Sequence, residues 1–186
     1  MSGENKEIQG SIFNFLGNLF DKHNITSVIV GGYALIVNKV QRMTFDIDFM
    51  LTQEDCEKIE PELLDIGYTV LSRQQAFLQL NGKKTGLRDL DFLITDKNTL
   101  NKIIADGKKT IIAGQEFNIP SPEHLIMMKI HSISENKKRE LKDLPDIVQL
   151  LEANSINPSK RKIKEMFEKF NEKNLYKRVL GLMGRK

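Results

Sequence analysis

The sequence predicts an α+β fold: a mixed β-sheet flanked by helices, followed by a helical C-terminal segment. Two observations carry this expectation. Apolar patterns of strand and helix period alternate through the first two thirds of the 186 residues, and only helical periodicity remains in the last third. Pro120 and Pro122 mark the change. The expected organisation is a core over 1–120 that includes an N-terminal helix, and a helical segment over 121–186 packed on that core. An apolar share of 40% with 28% charged residues is ordinary for a globular chain and excludes long disorder. No apolar run approaches the roughly 18 residues of a membrane span.

The first predicted helix, 6–22, places Ile8, Ile12, Leu16 and Phe20 four residues apart on one face. It lacks a basic leader and a small-residue cleavage site, so no signal peptide is expected and the cytoplasm is the expected compartment. Strand 27–31, helix 33–40 and strand 43–51 follow, then helix 53–66, opened by Thr52 with Asp55 three residues on. Strands are expected near 68–72 and 76–80 and over 87–95, with Asn81-Gly82 through Gly86 as a hairpin connection. Helix 98–106 and strands near 109–113 and 115–119 complete the core, and helices 122–135, 143–153, 158–171 and 173–182 make up the rest. The single cysteine, Cys56, excludes an internal disulfide and is expected as an exposed, inert thiol.

Chemistry concentrates in three places. In Val28-Ile29-Val30-Gly31-Gly32-Tyr33-Ala34 a β-branched run meets two glycines before a helix. Such a turn lets backbone approach a ligand, and a helix start suits a phosphate; a tight turn without a ligand gives the same pattern. In Met43-Thr44-Phe45-Asp46-Ile47-Asp48-Phe49-Met50-Leu51, strand alternation puts Phe45, Ile47, Phe49 and Leu51 on one face and Thr44, Asp46 and Asp48 on the other. The two carboxylates are then about 7 Å apart along the backbone and point the same way. Like charges so placed ask for a cation, and hard oxygen donors suit Mg²⁺, which also binds substrate phosphates. A solvated face of an edge strand is the competing account. In Leu87-Arg88-Asp89-Leu90-Asp91-Phe92 two more aspartates share a face, and if this strand neighbours the first, the carboxylates converge on a clamp for phosphoryl or nucleotidyl transfer.

Farther on, Lys129 shares a helix face with Leu125, Ile126 and Ile133, so it needs an anion: a triphosphate or a structural ion pair. Asp143, with Pro145 two residues later, is expected as a helix N-cap. His23, His124 and His131 lack the spacing of a zinc site. The absence of G-x-S-x-G and of a Walker A lysine argues against an α/β-hydrolase and a P-loop enzyme.

Taken together, Val30-Gly31-Gly32-Tyr33-Ala34, Arg42-x-Thr44-x-Asp46-Ile47-Asp48 and Leu90-Asp91-Phe92-Leu93 resemble the DNA polymerase β-like nucleotidyltransferase superfamily. Leu125-x-x-x-Lys129 and Arg139-x-x-Lys142-Asp143-x-x-Asp146-Ile147 are similar to its minimal bacterial branch, the abortive-infection AbiEii-type toxins. The likeness spans about residues 28 to 151. It implies a nucleotidyltransferase-type sheet, Mg²⁺ on Asp46, Asp48 and a third carboxylate, and a nucleoside triphosphate as substrate. By this likeness Gly31 and Gly32 sit against the phosphates, Lys129 contacts phosphate, and Arg42 and Thr44 line the pocket. Asp91 is the implied third carboxylate, which helps deprotonate the acceptor hydroxyl; Asp89 competes for that role. Gly-Gly replaces the Gly-Ser frequent in the superfamily and removes a hydroxyl.

The leading expectation is an enzyme that transfers a nucleoside monophosphate to a hydroxyl or phosphate of tRNA, a protein or a small molecule, as a toxin with an antitoxin partner. A non-catalytic nucleotide-binding or interaction module of such a pair is the alternative. From Pro158 onward ten Lys and Arg face three Glu in a chain of net charge +3, so this end suits either a solvated helical face or an RNA partner. Aromatic residues at 7% with no Trp leave few stacking platforms for single strands.

Overall fold

A computed structural model of the chain describes residues 11–184. Ile8 and the start of the expected first helix lie outside them. The described residues divide into two compact units, one formed by 11–33 with Met43–Ile119, the other by Ala34–Arg42 with 120–184.

The first unit is built on a seven-stranded mixed sheet. Its strands are β1 (Val28–Ile29), β2 (Ile47–Leu51), β3 (Tyr68–Gln74), β4 (Phe77–Gly82), β5 (Leu90–Ile94), β6 (Lys108–Ile112) and β7 (Gln115–Ile119), in the order β3-β4-β5-β2-β1-β7-β6. The centre carries the parallel pair β2 and β5, in register from Ile47 opposite Leu90 to Leu51 opposite Ile94. β1 runs antiparallel to β2 and parallel to β7. Three helices accompany the sheet: α1 (Ile12–Lys22), α3 (Gln53–Asp65) and α4 (Lys97–Ala105). Each has a side-chain N-cap, Ser11, Thr52 and Asp96, that accepts from a backbone N–H of the first turn. Ile29, Ile47, Phe49, Leu90 and Phe92 are fully buried, and Phe49 packs among Phe20, Phe92 and Phe117.

The second unit consists of α5 (Pro122–Glu135), a 3-10 turn (Lys137–Arg139), α6 (Glu140–Ala153), α7 (Arg161–Lys169) and α8 (Lys173–Met183), together with Ala34–Arg42. The short α2 (Gly31–Val37) belongs to both units along its length. Ile126, Ile130, Ile147, Leu150 and Phe167 form the core, and Ile163 and Phe167 turn inward while Lys160, Lys164 and Lys169 stay exposed. Asn38 at the end of α2 donates to the carbonyls of Ala34 and Pro120, at 2.9 and 3.3 Å. Among the described residues no helix is long and apolar enough to cross a membrane.

Four local expectations are corrected. β2 starts only at Ile47, so Thr44 and Asp46 precede the strand, and Phe45 is 72% exposed instead of packing beside Ile47. β5 starts at Leu90, which leaves Asp89 ahead of it. Cys56 is buried on the inner side of α3, and burial pushes its thiol up to about 11. Asp143 is no cap: it lies one turn inside α6, fully buried among cations, while the α6 N-terminus has no side-chain cap.

Candidate active site

Strand alternation and register bring the acidic residues together. Asp48 lies opposite Asp91 on the parallel neighbours β2 and β5, and residues opposite each other in register share a face. Asp46 and Asp89 each precede one of these strands, and the Ile47 amide donates to the Asp89 carbonyl at 3.0 Å, which ties the starts of β2 and β5 together. Burial pushes the Asp91 carboxyl above the ordinary carboxylate value. The charge of Asp48 raises it further, as do those of Asp46 and Asp89, against hydrogen bonds from Gln79 that lower it. Four carboxylates therefore share one field.

They are not equivalent. One oxygen of Asp89 accepts from the Asn81 amide and from the Gly82 backbone N–H, both at 2.9 Å, so this side chain fastens the end of β4. Asp91 is held differently. Gln79, its antiparallel partner on β4, donates to both carboxylate oxygens at 3.1 and 3.2 Å and fixes the plane of the group. Gln79 carries no motif signal; only the pairing of β4 with β5 reveals it.

The two glycines close the other side. Gly31 has φ +56°, and a Cβ there would stand 2.0 Å from Asp48 Oδ2. A Cβ on Gly32 would stand 2.3 Å from the Thr44 hydroxyl. Gly31 thus makes room for the Asp48 carboxylate in a left-handed turn, and Gly32 makes room for Thr44. The Val30 amide donates to the Asp48 carbonyl at 2.9 Å, and the Thr44 hydroxyl donates to the Asp46 carbonyl at 3.3 Å. Gly31→Ala is expected to destabilise the fold by about 2 kcal/mol or more, from the left-handed backbone and the displaced carboxylate together. Urea unfolding measures this, and a variant within about 0.5 kcal/mol of the parent would show that the turn relaxes freely.

Beside the glycines, Arg88 donates to the Tyr33 hydroxyl at 2.5 Å, with its guanidinium 6.0 Å from the ring centroid. This places a cation next to Asp89 in sequence and one residue beyond Gly32, a feature that charge pattern alone does not single out.

Arg42 and Lys129 belong to the other unit. Lys129 donates to Asp143 at 2.6 Å and lies 2.8 Å from Asp146, while Arg42 donates to Asp146 at 2.5 Å. Ser132 and Arg139 complete the shell of Asp143, at 2.9 and 3.1 Å. Burial alone would raise the Asp143 carboxyl; Lys129, Ser132 and Arg139 together hold it below the ordinary carboxylate value. This network ties the Ala34–Arg42 excursion to α5 and α6.

Most of the chain matches a known family. Residues 11–180 match the family described as nucleotidyl transferase of unknown function (DUF2204). The chain belongs to this family. No curated protein sequence matches this nucleotidyl transferase. Among solved structures it is similar to ANT(2")-Ia in complex with adenylyl-2"-tobramycin, at 16% identity and a TM-score of 0.63 over 88% of this chain and 97% of that one. It is similar also to the lincomycin-bound lincosamide antibiotic adenylyltransferase LnuA, at 16% identity and a TM-score of 0.54 over 80% of this chain and all of that one. An antigenic nucleotidyltransferase-like protein from Paracoccidioides brasiliensis matches at 17% identity and a TM-score of 0.54, over 90% and 89% of the two chains. At these identities the likeness establishes the nucleotidyltransferase fold.

Among the described residues no three carboxylate, imidazole or thiolate groups already stand in ligating geometry. The donor set still suits a hard divalent cation. Asp48 and Asp91 are oxygen donors side by side, Asp46 lies two residues away, and like charges add to burial in the upward shift of Asp91, a repulsion that a cation would relieve.

Proposed function

We propose that this nucleotidyl transferase is Mg²⁺-dependent and moves a nucleoside monophosphate from a nucleoside triphosphate to a hydroxyl or phosphate acceptor. The observation that carries the reading is Asp48 in register with Asp91, with Gly31 closed against Asp48. Asp46, Asp48 and Asp91 would hold the cation, which when bound neutralises charge developing on the transferred phosphoryl group. The Gly31-Gly32 turn and Thr44 would offer backbone amides and a hydroxyl to the triphosphate. Asp91 takes the proton of the acceptor hydroxyl on a carboxylate oxygen whose plane Gln79 fixes. Asp89, fastened to Asn81 and Gly82, stands outside this set. A role for Arg42 and Lys129 on phosphate belongs to the same proposal; their ion pairs support a structural role for both as well.

One structural relative holds adenylyl-2"-tobramycin and another lincomycin, which supports a small hydroxylated molecule as acceptor beside tRNA or a protein. The Arg139-x-x-Lys142-Asp143-x-x-Asp146-Ile147 stretch supports the abortive-infection branch, with a cytoplasmic toxin role and an antitoxin partner. Growth arrest on expression in bacteria, relieved by Asp48→Asn, tests that role; unimpaired growth argues against it.

The deciding experiment is a thermal shift with Mg²⁺ and each of the four nucleoside triphosphates. At a hundredfold excess of ligand over Kd, binding stabilises by about 2.7 kcal/mol, a rise of roughly 5–10 °C for a chain of this size. A rise that needs both cation and nucleotide supports the reading, and no rise with any of the four removes it.

A further inference from the structure

We propose that Phe45, with Met43 two residues before it in the chain, is the platform on which the base of the nucleoside triphosphate stacks. The inference rests on the nucleotide site proposed above and adds a recognition surface to it. Among the described residues Phe45 is the one exposed phenylalanine, at 72%, and Met43 is 81% exposed. Ligand sites combine a few polar groups with apolar and aromatic surface, and these two side chains supply apolar surface next to the acidic residues in the chain.

Their place in the chain limits which ligand that is. Phe45 stands between Thr44 and Asp46, with each neighbouring Cα about 3.8 Å away. Thr44 is fixed against Gly32, and its hydroxyl donates to the Asp46 carbonyl, so the backbone on both sides of Phe45 is held. Thr44 and Asp46 both serve the triphosphate end of the proposed site. A nucleotide anchored there has its nucleoside within side-chain reach of the residue between them. Phenylalanine and methionine present apolar, polarisable surface and no donor that reads a base edge. The platform therefore accepts any of the four bases and favours the purines, which offer more surface to stack.

Because the ring is exposed, Phe45→Ala removes little buried area and leaves the fold in place. The test measures binding of ATP, GTP, CTP, UTP and inorganic tripolyphosphate by calorimetry in Mg²⁺, for the parent, Phe45→Ala, Phe45→Trp and Met43→Ala. Stacking on an aromatic side chain predicts that Phe45→Ala weakens each nucleoside triphosphate roughly tenfold, while Phe45→Trp restores it. Tripolyphosphate, which has no base, is expected to bind parent and Phe45→Ala equally. Met43→Ala is expected to weaken the nucleotides by a smaller factor.

If tripolyphosphate binds the parent but Phe45→Ala holds the nucleotides as tightly as the parent does, the phosphate site stands and the platform is overturned. The platform is likewise overturned if Phe45→Ala binds nucleotides normally and only transfer to an acceptor falls, since the ring then serves the acceptor. A parent that binds neither tripolyphosphate nor any nucleotide overturns the nucleotide site and the platform with it.

Discussion

Lys129→Met is expected to cost the fold about 3 kcal/mol or more, because it leaves buried carboxylates short of a cation. The Asp143 side chain is wholly inaccessible and that of Asp146 is 7% exposed, and Lys129 is the cation both share. Arg139 still reaches Asp143 and Arg42 still reaches Asp146, which keeps the loss toward the lower end of the range for broken buried pairs. For a chain of this size the drop in melting temperature is roughly 6–12 °C. The triple change Lys129→Met, Asp143→Asn and Asp146→Asn removes the stranded charges and should recover part of the loss.

The pH dependence supplies an independent check. The folded value of Asp143 is depressed, so its contribution is present above the unfolded value near 3.8 and is lost as pH falls through the folded value. Lys129→Met removes the largest cause that holds Asp143 down. The penalty is therefore expected to be large at pH 7 and to shrink as the solution is acidified. A variant as stable as the parent at pH 7 that had lost nucleotide affinity would instead assign the ammonium to phosphate.

The acidic strands were legible in the sequence because alternation is a local rule. Asp48 and Asp91 each sit two residues from another aspartate, with buried apolar residues between, and that pattern needs no knowledge of the fold. Their adjacency is another matter: β2 and β5 are separated by a helix and a hairpin, and only the sheet order makes them neighbours. Gln79 was invisible for the same reason, since its meaning comes wholly from standing opposite Asp91. Phe45 shows where alternation misleads. The apolar-polar rhythm of the sequence continues through 43–46, but the ladder begins at Ile47, and outside a ladder the rhythm fixes no face. Asp143 shows a local signal overridden by a distant one. An acid shortly before a proline imitates a cap, whereas the cations of Lys129 and Arg139 draw this acid into the core. That Ala34–Arg42 belongs with the C-terminal helices has no local signature at all.

Asp48→Asn is expected to abolish the Mg²⁺-dependent nucleotide shift and to lower transfer on the order of a thousandfold, while leaving the ligand-free fold as stable as before or more so. The two halves of this expectation come from one arrangement. Asp48 lies in register with Asp91 and its charge helps raise the Asp91 carboxyl. In the ligand-free protein that repulsion opposes folding, and in the complex the cation is meant to turn it into attraction. A structural carboxylate would behave oppositely, because an amide in its place forfeits a stabilising charge. The sign of the pH effect sharpens the distinction. The folded value of Asp91 lies above its unfolded value, so its contribution to stability is fully present below the unfolded value near 3.8 and is lost as pH rises through the folded value. Removing the Asp48 charge brings the folded value of Asp91 down and restores part of that loss. The melting temperature of Asp48→Asn should therefore match that of the parent near pH 4 and gain on it toward pH 7, each without ligand. Melting curves of both proteins across that range decide the matter. A variant that melts well below the parent at pH 7 would make Asp48 a structural residue of the Gly31 turn, and the metal site would have to be sought without it.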